Sequence, residues 1–516
     1  MYLAKKLKGT LVLVLSLSFL LGVTGCSSNN PSPITNTNTE GTVKNGGNFI
    51  FGITTEPDHL DPYLASAAET REILFNIFEG LVKSDKDGNI IPAVAESYEV
   101  SKDSLTYSFK IRKLLKFHNG SDVTSADVKY SLEKAMSLSV AGMDNVKSVD
   151  APDASTIKVN LKSADSDFLP YLTISIVPKD YSDGDVHPIG TGPFVFDSFT
   201  PQQSLILKKN PNYWQKELPH LDKVTFKIAS DTNALLLELQ AGSIDGSTVY
   251  NDQTLSKQLD PNTFKIEQAN SNSVQQLNLN NAVKPFDNIK VRQAISYAVD
   301  PDEIIETVVY GKGTRVGTPV IPGLRTYFDS SLTNAYKKDL EKAKQLLSDA
   351  GYPNGFSFTI SVPSNYQVHV DSAQVIVNQL KSIGITASIK QVDWATWLSK
   401  VYKERQYEAT IISVDGINVS PRSYLERYVS TNASNFINYK SSEFDSIYKK
   451  AKDESDASKR VELYKEAQQM LSKDAASVYI QDIAALTALR KNISGFTPYP
   501  LYVFDASTLY YTSESK

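Results

Sequence analysis

Two hydrophobic periods run through this chain. Apolar residues at every second position mark strands: Leu105, Tyr107, Phe109 and Ile111 alternate with Thr106, Ser108 and Lys110. The same pattern recurs at Ile157, Val159 and Leu161, at Val224, Phe226 and Ile228, and at Phe356, Phe358, Ile360 and Val362. Successive strand side chains face opposite sides, so each run predicts a sheet with one face in a core. Other stretches follow the helical period, as Val291, Ala294, Ile295 and Ala298 do. Directly after them, Asp300-Pro301-Asp302-Glu303 reads as an N-cap, a proline at the first helical position and a capping-box glutamate. Asp231 predicts the cap of a helix that Gly242 ends. Leu340, Ala343, Leu346 and Leu347 precede a stop at Gly351, and a long helical region covers about 443–474. Strands and helices mix without a regular βαβ repeat or an internal period, which predicts two α/β lobes rather than a barrel or a solenoid.

The N-terminus follows neither period. Lys5, Lys6 and Lys8 precede an apolar run from Thr10 to Val23. As a helix this run spans only about 20 Å, short of a hydrocarbon core of roughly 30 Å, so it reads as the apolar part of a signal peptide. Val23-Thr24-Gly25-Cys26 follows and resembles the lipobox of bacterial lipoproteins. Residues 1–25 are then the signal peptide, and the Cys26 thiol is the expected site of diacylglyceryl transfer. Two acyl chains suffice for stable anchoring. Residues 27–46 carry no aromatic side chain and read as a flexible tether. The expected location is the outer face of a bacterial cell membrane.

Composition narrows the function classes. The 516 residues exceed what one core organises. With 22% charged and 41% hydrophobic residues the chain is neither disordered nor a multi-pass membrane protein. Net charge is −5, and loss of the three leader lysines leaves 50 basic against 58 acidic groups. That gives no basic footprint, so no nucleic-acid partner is expected. Cys26 is the only cysteine, which excludes a disulfide scaffold, a Cys-ligated zinc and an intramolecular redox pair. The histidines (His59, His118, His187, His220, His369) form no HExxH pair, and GxSxG, Walker A and GxGxxG motifs are missing. Gly311-Lys312-Gly313 lacks a phosphate-loop context and reads as a turn. Neither an enzyme nor a cofactor is expected.

Between about residue 47 and 510 a series of short motifs stands in a fixed order. Glu56-Pro57-Asp58-His59-Leu60-Asp61-Pro62 is followed by Ile77-Phe78-Glu79-Gly80-Leu81-Val82 and Pro92-Ala93-Val94-Ala95-Glu96-Ser97. Lys116-Phe117-His118-Asn119-Gly120, Ala126-Asp127-Val128 and Gly190-Thr191-Gly192-Pro193-Phe194 come next. Asn210-Pro211-Asn212-Tyr213-Trp214, Gly242-Ser243-Ile244-Asp245, Val291-Arg292-Gln293-Ala294 and Ala350-Gly351-Tyr352 complete the set. In this order the motifs resemble the peptide/nickel class of extracellular solute-binding proteins of ABC transporters. The resemblance implies an α/β, two-lobe periplasmic-binding-protein-like fold with an inserted subdomain and a hinge. Lobe one would comprise 47–82, 188–272 and 479–516, the insertion 83–187 and lobe two 273–478, with crossovers near 270–275 and 478–484.

It also implies a site. In peptide-binding relatives the ligand lies extended in the interlobe cleft, pairs its backbone with a segment from each lobe, and gives its α-ammonium to an aspartate. The matching segments are Thr54–Asp58, with Thr55, Glu56 and Asp58, and Ile411–Asp415, with Ser413, Val414 and Asp415 at the ammonium position. Asn418 and Tyr424, just downstream, join the candidate set, and Trp394 and Trp397 are candidates for a wall. Departures are visible: Ile412 stands where relatives carry Trp, Ser420-Pro421 where they carry an acidic residue before proline, and no arginine occurs at 361–366 to clamp a dipeptide carboxylate. The implied function is a lipid-anchored, monomeric receptor that captures oligopeptides and delivers them to an ABC permease. Alternatives are a nickel–chelator receptor, for which His369 is the one histidine of lobe two, and a peptide-pheromone receptor. An extracellular hydrolase is disfavoured by the missing motifs.

Overall fold

The computed structural model describes residues 43–512 except Ser66, Ala141, residues 251–256, Asn365, Ile417 and residues 500–502, so the leader, Cys26 and the tether up to residue 42 lie outside the described residues. The alternating runs are strands, Thr106–Ile111, Thr156–Leu161, Lys223–Ile228 and Ser357–Pro363. Tyr107, Phe109 and Ile111 are buried while Lys110 is exposed, as the period requires. Helices Thr232–Ala241, Ile289–Ala298 and Leu340–Asp349 likewise fall where their spacing placed them. Asp231 caps the first by accepting the Ala234 N–H at 2.9 Å.

Two local readings change. Asp300 does cap its helix, but Glu303 closes no capping box. The Asp300 N–H donates instead to Gln379 Oε1 at 3.1 Å, and Gln379 Nε2 donates to Glu303 at 2.9 Å. A side chain from another helix has taken both ends of the Glu303–Asp300 bond that a capping box needs. The region 443–474 is two helices, Ser442–Asp453 and Ala457–Lys473, because Asp456 starts a new one by accepting the Lys459 N–H.

An eleven-stranded sheet runs through both lobes. One half holds Asn48–Ile53, Phe194–Thr200, Ser204–Lys209, Lys223–Ile228 and Gly246–Tyr250. The other holds Ser357–Pro363, Thr386–Val392 and Ala409–Asp415, and short Gly313–Arg315 pairs beside Val478–Arg490. Between them lie two long antiparallel strands, Phe264–Leu279 and Val478–Arg490. The first pairs with Ala409–Asp415 and the second with Gly246–Tyr250, so two continuous strands serve both halves. Their register slips midway. Asn270 opposes Ala484 but Val274 opposes Asp482, leaving Ser271–Ser273 against Ile483. Extra residues of this kind bend a strand.

Each half encloses its own apolar core. Phe49, Phe51, Leu205, Val224 and Phe226 fill the first, and Ile295, Ile360, Ala373 and Ile411 belong to the second. The inserted region forms a third body, an antiparallel sheet of Ala95–Val100, Thr106–Ile111, Thr156–Leu161 and Val146–Asp153 covered by helix Ser125–Ser137. Among the described residues no helix is long and apolar enough to cross a membrane.

Candidate functional site

The strand Ala409–Asp415 ends level with the bulge, Asp415 opposite Ser273. Ile412 and Val414 pack into the core, and Asp415, at the strand's end, has its side chain 47% exposed. The next residue has to be small. A Cβ on Gly416 would lie 2.5 Å from the Tyr424 ring. Asn272, in the bulge, locks the turn: its Nδ2 donates to the Gly416 carbonyl at 3.0 Å, and its Oδ1 accepts the Tyr424 hydroxyl. Arg427 stands behind, with Nη2 4.0 Å from Asp415 Oδ1.

Asp415, Gly416 and Asn418 form the second-lobe wall of a cavity of about 500 Å³. Its opposite wall comes from the first lobe and the insertion, with Arg71, Phe75, Phe78, Glu79, Lys83 and Tyr171 among the lining residues. This wall is assembled around Glu79. Its buried carboxylate accepts from Tyr213 Oη (2.9 Å), Trp214 Nε1 (3.0 Å), Thr191 Oγ1 (3.2 Å) and Lys83 Nζ (3.2 Å). Three of the sequence motifs therefore meet at one carboxylate. Gly190 and Gly192 allow the approach, since a Cβ on Gly190 would fall 2.1 Å from the Ile77 carbonyl oxygen. His118 accepts the Gly190 N–H at 3.3 Å, and burial pushes its pKa down to about 4. A neutral, half-buried imidazole is a structural clamp.

The structure brings Asp415 and Asn418 to the cavity and takes other candidates elsewhere. Asn418 is buried, and its Nδ2 has no hydrogen-bond partner among the described residues. Tyr424 is completely buried and supports the Gly416 turn instead of facing a ligand. The Ser413 N–H donates to His369 Nε2 at 3.2 Å, so that main-chain donor is already engaged, and Val414 is core. Glu56 accepts the Gln202 N–H at 2.9 Å, Asp58 accepts the Ala67 N–H at 3.1 Å, and neither they nor Thr55 lines the cavity. Trp397 is buried and donates to Thr410 Oγ1 at 3.0 Å. Trp394 stacks on it with ring centroids 5.1 Å apart and is 37% exposed, away from the cavity lining. His369 is buried with Gln275 Nε2 2.9 Å from its Nδ1, and burial pushes its pKa down to about 3.

Sequence reasoning missed a contact between the insertion and the second lobe. Asp167 accepts from Ser420 Oγ (2.6 Å) and Tyr464 Oη (2.7 Å), and Asp165 pairs with Arg422 at 2.5 Å. Both aspartates are buried. Ser420 stands where the resemblance implies an acidic residue, and here a carboxylate reaches it from another subdomain. The one signal in sequence was that departure.

A mixed α/β body in two halves, joined through a pair of shared strands and enclosing a cavity lined from both, defines a two-lobe solute-binding protein. Residues 89–436 match the family described as bacterial extracellular solute-binding proteins, family 5. Heme-binding protein A of Haemophilus influenzae is 30% identical, over 97% of this chain and 98% of that protein. The substrate-binding protein CtaP of Listeria monocytogenes superposes with a TM-score of 0.82 at 26% identity, covering 91% of this chain and all of that one. DppA of Helicobacter pylori, solved in complex with the peptide STSA, superposes with a TM-score of 0.73 at 28% identity, covering 91% and 99%. The chain belongs to the family 5 extracellular solute-binding proteins. It is a transport receptor rather than an enzyme, the substrate-binding protein of a peptide-, nickel- or heme-type ABC importer.

Proposed function

We propose that this receptor captures oligopeptides, tethered to the outer membrane face through lipidated Cys26, and delivers them to its permease. The observation that carries the reading is Asp415, an exposed carboxylate at the end of a cleft strand, braced by its turn and lining the cavity between the lobes. A peptide α-ammonium entering there needs a counter-charge, and such a charge-assisted hydrogen bond contributes ~1.5–3 kcal/mol. The complex of DppA with a peptide supports the same class of ligand. A nickel–chelator ligand is less well served, because His369 is buried and held by Gln275 and Ser413.

Ligand touching both walls favours a closed arrangement, since only differential affinity shifts such an equilibrium. We place the hinge near 270–275 and 478–484, where the strand register slips. Native mass spectrometry of the purified receptor is expected to show a retained pool of mixed peptide masses; a single metal–chelator mass would sink the reading. Asp415→Ala should weaken peptide binding about tenfold or more in calorimetry with an unchanged melting temperature.

A further inference from the structure

The insertion meets the two lobes through different chemistry. Tyr63, Ile189 and Trp214 of the first lobe pack against its apolar core, and the Arg112 guanidinium of the insertion lies 3.8 Å from the Trp214 ring centroid. Opening such a contact exposes apolar surface to water, which resists separation. Toward the second lobe the same body presents charge. Buried Asp165 pairs with Arg422 at 2.5 Å, and buried Asp167 takes the hydroxyls of Ser420 and Tyr464, with Arg460 3.9 Å away. Between them the Ser166 N–H and hydroxyl both donate to the Lys452 carbonyl, at 3.3 and 3.0 Å. A second point lies at the tip of the hairpin formed by Val82–Ser84 and Ile90–Pro92. There Asp87 meets Arg325 at 3.2 Å, and Ile90 packs against the second lobe's core. Separation returns such charges to water, so a charged contact parts more readily than an apolar one of the same size.

Resting on the hinged-receptor reading, we propose that Asp165, Asp167 and Arg422 form a latch: it holds the second lobe where both walls line the cavity, and it releases when the lobes swing apart. The latch is placed to act on the site. Ser420 donates its N–H to Asn418 Oδ1 at 3.1 Å while its hydroxyl is held by Asp167. Just downstream of Asp167, Tyr171 lines the cavity with its ring centroid 5.2 Å from the Arg422 guanidinium. Gripping Ser420 fixes the second-lobe wall against the insertion wall. A ligand that needs both walls binds more weakly in proportion to the molecules in which they are apart. Asp167 and Arg422 are then positioning residues for affinity, and neither lines the cavity.

The test uses the mature receptor, refolded from denaturant to remove retained ligand, as wild type and as Asp167→Asn, Arg422→Gln and Arg422→Lys. The Ser166 amide crosses the contact, so its hydrogen exchange reads release directly. In Asp167→Asn and Arg422→Gln the segment holding Ser166 should exchange about tenfold faster or more than in wild type. The radius of gyration from small-angle X-ray scattering should rise with it, and Arg422→Lys, which keeps the charge, should lie between. Strand Thr106–Ile111 should keep its wild-type exchange. Faster exchange at Ser166 with an unchanged radius of gyration, or equal acceleration through Thr106–Ile111, would overturn the latch. Scattering from wild type before and after ligand removal reads the hinge separately: a change there with none among the variants overturns the latch alone, and no change in either removes hinge and latch together. Because no ligand enters the comparison of variants, a metal–chelator mass in native mass spectrometry would remove the peptide reading and leave the latch standing.

Discussion

His369 carries its consequences in its two nitrogens. One lies 2.9 Å from Gln275 Nε2 and the other accepts the Ser413 N–H, three residues from the end of the cleft strand's last turn into Gly416. Because burial holds its pKa at about 3, the folded protein keeps it neutral where the unfolded chain protonates at the ordinary value of 6.5. Stability from this residue is present above pH 6.5 and drains away as pH falls towards 3, at about 1.4 kcal/mol per unit. His369→Gln is expected to flatten the fall of melting temperature below pH 6.5, measured by calorimetry at a series of pH values. Part of the slope should persist, since half-buried His118 acts with the same sign. A wild-type slope carried over unchanged into the variant would show that His369 does not stay neutral.

Among elements, the loop carrying Asp165 and Asp167 couples the insertion to the second lobe. The buried Asp167 carboxylate holds Ser420 and Tyr464, and the neighbouring Ser166 N–H and hydroxyl both donate to the Lys452 carbonyl. Removing one partner of a buried polar cluster leaves the others unsatisfied, at a cost of about 3–5 kcal/mol. Asp167→Ala is therefore expected to lower the melting temperature by several degrees, and Asp167→Asn by less. Ser420 lies two residues beyond Asn418, so hydrogen exchange in residues 415–422 should speed up in the alanine variant. Unchanged exchange there would separate this contact from the cavity wall.

Over the whole molecule the shared strands contain a costly buried carboxyl. Asp482 is completely buried beside the bulge; Ser271 Oγ donates to its Oδ1 at 3.0 Å, while Oδ2 has no partner among the described residues. Burial pushes this carboxyl well above its ordinary range, so folding takes up a proton. Its contribution is most favourable in acid and is lost as pH rises through the raised value, opposite in sign to that of the histidines. Asp482→Asn is expected to stabilise the protein by about 1–3 kcal/mol at neutral pH and to give no gain near the carboxylate range. Melting curves at pH 4 and pH 7.5 check this, and an equal effect at both would show that Asp482 is not protonated in the folded state.

The strands and helices were legible because hydrophobic period depends on neighbours in sequence: Tyr107, Phe109 and Ile111 had to share a face wherever the strand went. Helix starts at Asp231 and Asp300 were legible for the same reason, as caps bond within their first turn. Asp415 could be named from the motif order, yet nothing local distinguished it from Tyr424, which the fold buried as a brace. Pairings between distant segments were out of reach: Gln379 displacing a capping box, Glu79 gathering Tyr213, Trp214 and Thr191, Asp167 reaching Ser420. Sequence by itself determined the elements, the leader pattern and the family; the tertiary structure decided which charges face the cavity. The reason is that a charged side chain's role depends on which partners arrive in space, and those partners lie tens to hundreds of residues away along the chain.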